Sequence, residues 1–92
     1  MRAVNEKFDI LDNTLEAIRD EVASAVNKHG PLNSLHEAYG VIKEEFDEFW
    51  EQVKVNPKHL AHHEQFERID NIREELVQIA AMCVRTLMDV EI

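Results

Sequence analysis

Only two places in this chain can stop a helix, and that limits it to three long ones. Glycine and proline occur twice each, and three of the four fall at Gly30-Pro31 and Asn56-Pro57. Gly can take the left-handed turn that ends a helix, and Pro cannot continue one. Before the first stop, Val4, Phe8, Leu11, Leu15, Ile18, Val22 and Ala25 alternate spacings of four and three over three heptads. That narrow seam is the pattern of bundles and coiled coils, and it predicts a helix over residues 4–28.

The second helix opens with a capping box, Ser34 at the N-cap and Glu37 three residues on, and runs to about Lys54. Gly40 sits inside it, away from the apolar stripe, and reads as a tolerated cost. Asn56-Pro57 then repeats the stop-and-start chemistry. Lys58 to Glu67 is polar, with histidines at 59, 62 and 63, and its periodicity fits a short helix or a loop equally. From Phe66 the last helix carries Ile69, Ile72, Leu76, Ile79, Ala80, Cys83, Leu87 and Val90 along one stripe. Between Leu76 and Val84 it is apolar nearly all round, broken only by Gln78, so it needs cover on more than one side.

No stretch reads as a strand. Helices of about 25, 21 and 25 residues are twice the usual globular length, and with short connections they imply an antiparallel bundle. The expectation is therefore an all-α single domain over 1–92: three long helices, room for a short fourth, and completion by dimerisation into a four-helix-type bundle. Ninety-two residues cover their own apolar surface poorly, so a homodimer or homotetramer is expected.

A net charge of −9 argues against nucleic acid and anionic membranes as partners. No segment approaches a membrane span, the first residues form no signal-peptide core, and the single cysteine fits a reducing cytoplasm, so the chain reads as soluble and cytoplasmic. Cys83, on the apolar stripe without a basic neighbour, reads as a small core residue. His59-x-x-His62-His63 has helical ligand spacing but no third ligand, and reads as a solvated connection.

The chemistry concentrates in the second helix. Residues 44–51 hold five carboxylates, and the apolar stripe there is Leu35, Ala38, Ile42, Phe46, Phe49 and Val53. Glu45 falls about 60° from its centre and Glu48 about 120°, while Glu44 and Glu51 lie nearly opposite. Glu45 and Glu48 can thus aim at one point, where they repel unless a cation or solvent absorbs the charge. On the last helix, Glu75 and Gln78 share one side at the edge of an apolar wall, where a carboxylate is costly unless paired. Two antiparallel helices with flanking acids can meet at a hard, oxygen-seeking cation such as Mg²⁺. A solvated acidic face is the competing reading.

Glu44-Glu45-x-x-Glu48, 26 intervening residues, then Glu75-x-x-Gln78 resembles the EExxE…ExxD signature of the MazG-like, all-α nucleoside triphosphate pyrophosphohydrolases. The text around it is similar to small members of phage and mobile elements: His29-Gly30, Ser34-x-His36-Glu37-Ala38-Tyr39, Val41-Ile42-Lys43 and Leu76-Val77 through Met82. The resemblance implies a four-helix-type oligomer and Mg²⁺, or Mn²⁺ in its place, on Glu44, Glu45, Glu48 and Glu75. It also implies hydrolysis of a (d)NTP to (d)NMP and pyrophosphate. The family's final Asp is Gln78 here, a neutral carbonyl ligand in place of a charged one. Candidate substrate contacts are Lys43, Lys54 and Arg73, with Lys58 and Arg85 behind them, for phosphate, and Trp50 or Tyr39 for the base. The alternative is a non-catalytic helical oligomer that binds a nucleotide or a protein partner on the same scaffold.

Overall fold

The structure, a computed structural model, describes residues 4–92. It is all-helical: α1 spans Val4–His29, α2 Leu35–Val53 and α3 His62–Asp89, with one 3₁₀ turn at Pro57–His59. The first stop works as its chemistry requires. Gly30 adopts φ +68°, and its N–H donates to the Val26 carbonyl at 3.1 Å. At the next start, Ser34 Oγ accepts the Glu37 N–H at 3.1 Å. The Glu37 carboxylate reaches back one residue past the cap, to the Asn33 backbone and side-chain N–H groups at 3.3 Å.

The polar connection divides in two. Asn56 Oδ1 accepts the Lys58 N–H at 3.0 Å and caps the 3₁₀ turn. After extended Leu60 and Ala61, α3 begins at His62, four residues earlier than the apolar stripe indicates. Its start is fixed by Glu64, whose carboxylate accepts the Ala61 N–H at 3.1 Å. That reciprocal half of a capping box lies in polar text with no apolar periodicity, so the stripe alone cannot find it. His59 lies in the 3₁₀ turn, while His62 and His63 occupy the first turn of α3. All three are exposed.

Helix α3 is the element on which both others pack. Arg68 near its start donates to the last carbonyls of α2, at Gln52 (2.9 Å) and Val53 (3.3 Å). At its other end the Asp89 carboxylate accepts the Leu32 N–H at 2.9 Å. The chain therefore runs up, down and up, with α2 antiparallel to α3. The core is small: Val22, Ala25, Ala81 and Met82, with Ile18, Val41 and Ile42 against them. Ala81 at the centre of this core is wholly without solvent exposure.

Two features depart from the apolar patterns. The seam on α1 is covered only in its C-terminal half; Phe8, Leu11 and Leu15 are exposed, and the Val4 side chain lies outside the described residues. Cys83 is exposed, not a core residue, because α3 turns Ala81, Met82 and Arg85 inward and leaves Leu76, Val84 and Leu87 outside. The radius of gyration is 15.4 Å. A compact chain of this length has about 12 Å. No helix among the described residues is long and apolar enough to cross a membrane.

Candidate metal centre

The face that α2 buries is offset from its apolar stripe and shares only Ala38, Ile42 and Phe49 with it. Ala38, Val41, Ile42, Glu45, Phe49 and Gln52 are the covered or half-covered positions, whereas Leu35, Phe46 and Val53 are exposed. The helix is rotated so that Glu45 lies near the middle of the contact, not on its flank. Phe46 stays outside and stacks edge-on to Phe49, with centroids 6.1 Å apart.

That rotation brings Glu45 against Glu75 of α3. One carboxylate oxygen from each of Glu45, Glu48 and Glu75 falls within 4.8 Å of the other two. Glu45 and Glu75 are half-buried, and each has a buried Oε2 without a hydrogen-bond partner. Glu48 is exposed at the rim. All three carboxyl groups titrate above their ordinary range. Burial is the first cause in each case. The neighbouring acids add to it: Glu48, Glu44 and Glu21 act on Glu45, and Glu45 acts on Glu75. Ionised together, the carboxylates have orphaned oxygens; a proton shared between Glu45 and Glu75, or a cation, would satisfy them.

From Glu45 a cleft of about 480 Å³ runs to the loop between α1 and α2. Glu44 and Gln78 line it beside Glu45. Glu44 lies outside the three-oxygen cluster. Glu21 and Lys28 of α1 form the opposite wall, with Gly30–Leu32 and Arg85 at the loop end. Sequence reasoning missed Glu21, whose only signal is its place beside Val22 in the seam. It also gave Arg85 no special place, although Arg85 stands three residues after Met82 on the inward face of α3.

Of the substrate-contact candidates Arg85 lines the cleft, and the others lie elsewhere. Lys43 pairs with Asp47 at 2.8 Å and Lys54 with Glu51 at 2.9 Å, both on the surface of α2. Trp50 and Tyr39 are exposed on the same helix and do not line the cleft. Arg73 lines a separate open groove of about 860 Å³ between α1 and α3, among Ile10, Ile18, Leu76, Val77 and Ala80.

The donor set suits a hard divalent cation: carboxylate oxygens from two antiparallel helices, with a neutral amide on the cleft wall nearby. Comparison of the chain with protein-family models, with curated proteins and with solved structures finds no match.

Proposed function

We propose that the chain is a Mg²⁺-dependent nucleotide pyrophosphohydrolase of the MazG-like type, cleaving a (d)NTP to (d)NMP and pyrophosphate. The observation that carries this reading is the convergence of Glu45, Glu48 and Glu75 within 4.8 Å, with buried oxygens of Glu45 and Glu75 left without partners. Burying carboxylates against each other is costly. A divalent cation removes that cost, and the partnerless oxygens fit one.

Glu45, Glu48 and Glu75 would hold the ion, and Gln78 offers its amide oxygen from the cleft wall. Mg²⁺, when bound, supplies positive charge against phosphate oxygens and acidifies water; Mn²⁺ can replace it. In this reading Glu44, on the wall but outside the cluster, takes the proton of the attacking water at its carboxylate. The loop end of the cleft leaves room for the rest of the triphosphate.

The working unit in this proposal is a homodimer, or a dimer of dimers. The accessible surface of the chain is 7200 Å². A folded monomer of this mass exposes about 5,500 Å². The difference is ample for a standard interface of ~800 Å² per partner. Phe8, Leu11 and Leu15 of α1 and Phe66, Ile69 and Leu76 of α3 supply the apolar surface. Two α1–α3 faces packed together would give the four-helix-type bundle.

The test is pyrophosphate release from a panel of (d)NTPs with Mg²⁺ or Mn²⁺, with Glu45→Gln as the matched control. Release by the wild type and its loss in the variant support the enzyme. Gln78, where the resembling family has Asp, favours a second reading, a nucleotide-binding oligomer without catalysis. Nucleotide binding without release from any member of the panel would select it.

A further inference from the structure

We propose that the loop end of the cleft, built on Arg85, is an anion subsite that receives a phosphate group of the ligand. Arg85 is 3% exposed, the most deeply buried charged residue among those described. Its guanidinium donates to the Gly30 carbonyl oxygen and, at 3.7 Å, to the Met82 sulfur. Its Nε–H is buried and has no acceptor. Among the described residues no carboxylate pairs with it. A guanidinium taken out of water with only neutral acceptors is an incomplete arrangement, since its charge is uncompensated and one donor is idle.

Capping α1 does not account for this. A cation near the last carbonyls of a helix is favourable, but one N–H is enough for that. Arg68 performs the same task at the end of α2, with two donated bonds, while remaining half-exposed. Arg85 is instead buried where it lines the cleft that leads to Glu45, and Lys28 and His29 at the end of α1 line the same cleft. The cleft thus has Glu44 and Glu45 towards one end and the guanidinium of Arg85 at the loop end, where Glu37 of the first turn of α2 also lines it.

A planar guanidinium fork matches two classes of anion, carboxylate and phosphate. The acids at the far end decide between them. A simple carboxylate would meet Glu45, Glu44 and Glu21 unshielded, whereas a polyphosphate brings a divalent cation with it. On the reading that the acids hold this cation, the phosphate farther from it lies towards Arg85. The subsite rests on that reading for the identity of its anion, but its recognition group is separate.

Inorganic tripolyphosphate and a non-hydrolysable nucleoside triphosphate are titrated into the intact ¹⁵N-labelled protein, with Mg²⁺ and separately in EDTA. Sulfate at equal ionic strength is the control. The expected result is a saturable shift of the Arg85 Nε–H resonance that sulfate does not reproduce. Arg85→Met should weaken tripolyphosphate binding about tenfold or more and leave the Mg²⁺ response unchanged. A shift with both ligands assigns recognition to phosphate itself; one confined to the nucleotide assigns it to a nucleotide phosphate. An Nε–H resonance unmoved by either ligand in both buffers overturns the subsite, as does wild-type affinity in Arg85→Met. Should that variant fail to fold, the wild-type resonance decides alone. Loss of the enzymatic reading is seen separately: no pyrophosphate release with the resonance shifting removes catalysis and keeps the subsite, and release with the resonance still does the reverse.

Discussion

Replacing Glu75 by Gln should make the metal-free protein more stable, an unusual outcome because most substitutions destabilise. Glu75 faces Glu45 and Glu48 with oxygens within 4.8 Å. Two unit charges at that separation repel by about 3.5 kcal/mol at an effective dielectric of 20, and by about 0.9 kcal/mol in bulk water. The contact with Glu45 lies towards the first limit, because both side chains are half-buried; the contact with exposed Glu48 lies towards the second. Proton uptake by the pair relieves part of the repulsion, so the net gain at pH 7 should be roughly 1–2 kcal/mol. For a domain of this size that raises Tm by roughly 5–10 °C. The amide can also donate to the partnerless Glu45 Oε2, which acts in the same direction. Thermal melts in EDTA at fixed ionic strength read this effect. With saturating Mg²⁺ the order should reverse: the wild type gains about 2.7 kcal/mol at a hundred times Kd, and Glu75→Gln gains little. An unchanged or lower Tm for Glu75→Gln in EDTA would refute the repulsion. Equal Mg²⁺ responses from the two proteins would refute the shared ion.

The same acids set a pH dependence. Glu45, Glu48 and Glu75 titrate above the ordinary value of 4.5 in the folded chain. Between that value and the raised ones the folded state therefore binds more protons than the unfolded, and stability falls as pH rises. Metal-free protein should thus melt higher near pH 5 than near pH 7, with Mg²⁺ flattening the difference; a metal-free Tm that climbs steadily over this interval contradicts the assignment. In light scattering at micromolar concentration the mass should be a multiple of 10.7 kDa, and Leu15→Glu should lower it; a wild-type monomer ends the dimer proposal. Gln78→Asp, with Gln78→Glu as the longer companion, adds a negative charge on the cleft wall beside Glu45. At least one should tighten Mg²⁺ binding about tenfold, the equivalent of 1.4 kcal/mol, and calorimetry showing neither tighter than wild type removes Gln78 from the metal.

Helix ends were legible because their chemistry is local. Gly30 supplies the left-handed residue and Ser34 the side-chain acceptor, and each acts within four residues of its own position. The start of α3 was not legible, because Glu64 caps it in a polar stretch where no periodicity marks a helix. The faces were harder still. On α2 the hydropathy stripe runs through Phe46 and Val53, yet the helix covers Glu45 and Gln52 and leaves both apolar residues outside. Apolar patterning cannot place a carboxylate in a contact face, so it located the acids in sequence and misjudged the depth of Glu45. Glu21 escaped for the same reason, and Arg85, named as a phosphate contact, gave no sign of its burial, both being polar residues on faces defined by their neighbours.

What remains exposed follows from the one seam on α1. Its heptads continue unbroken from Phe8 to Ala25, which calls for a packing partner along the whole length. Helix α3 covers only the half from Ile18 to Ala25, where it presents Ala81 and Met82. The apolar groove beside Leu76, Val77 and Ala80 is lined on α1 by another face, through Ile10, Thr14 and Ala17, which Phe8, Leu11 and Leu15 do not share. On α3 the groove residues and the cleft residues Gln78, Met82 and Arg85 lie on nearly opposite faces. On α1 they lie on the same face, one after the other. A partner seated in the groove would therefore press on the same rigid helix that carries Glu21 and Lys28 into the cleft wall. Groove and acidic cleft are thereby linked through the angle of α1, because neighbouring stretches of one face of that helix line both.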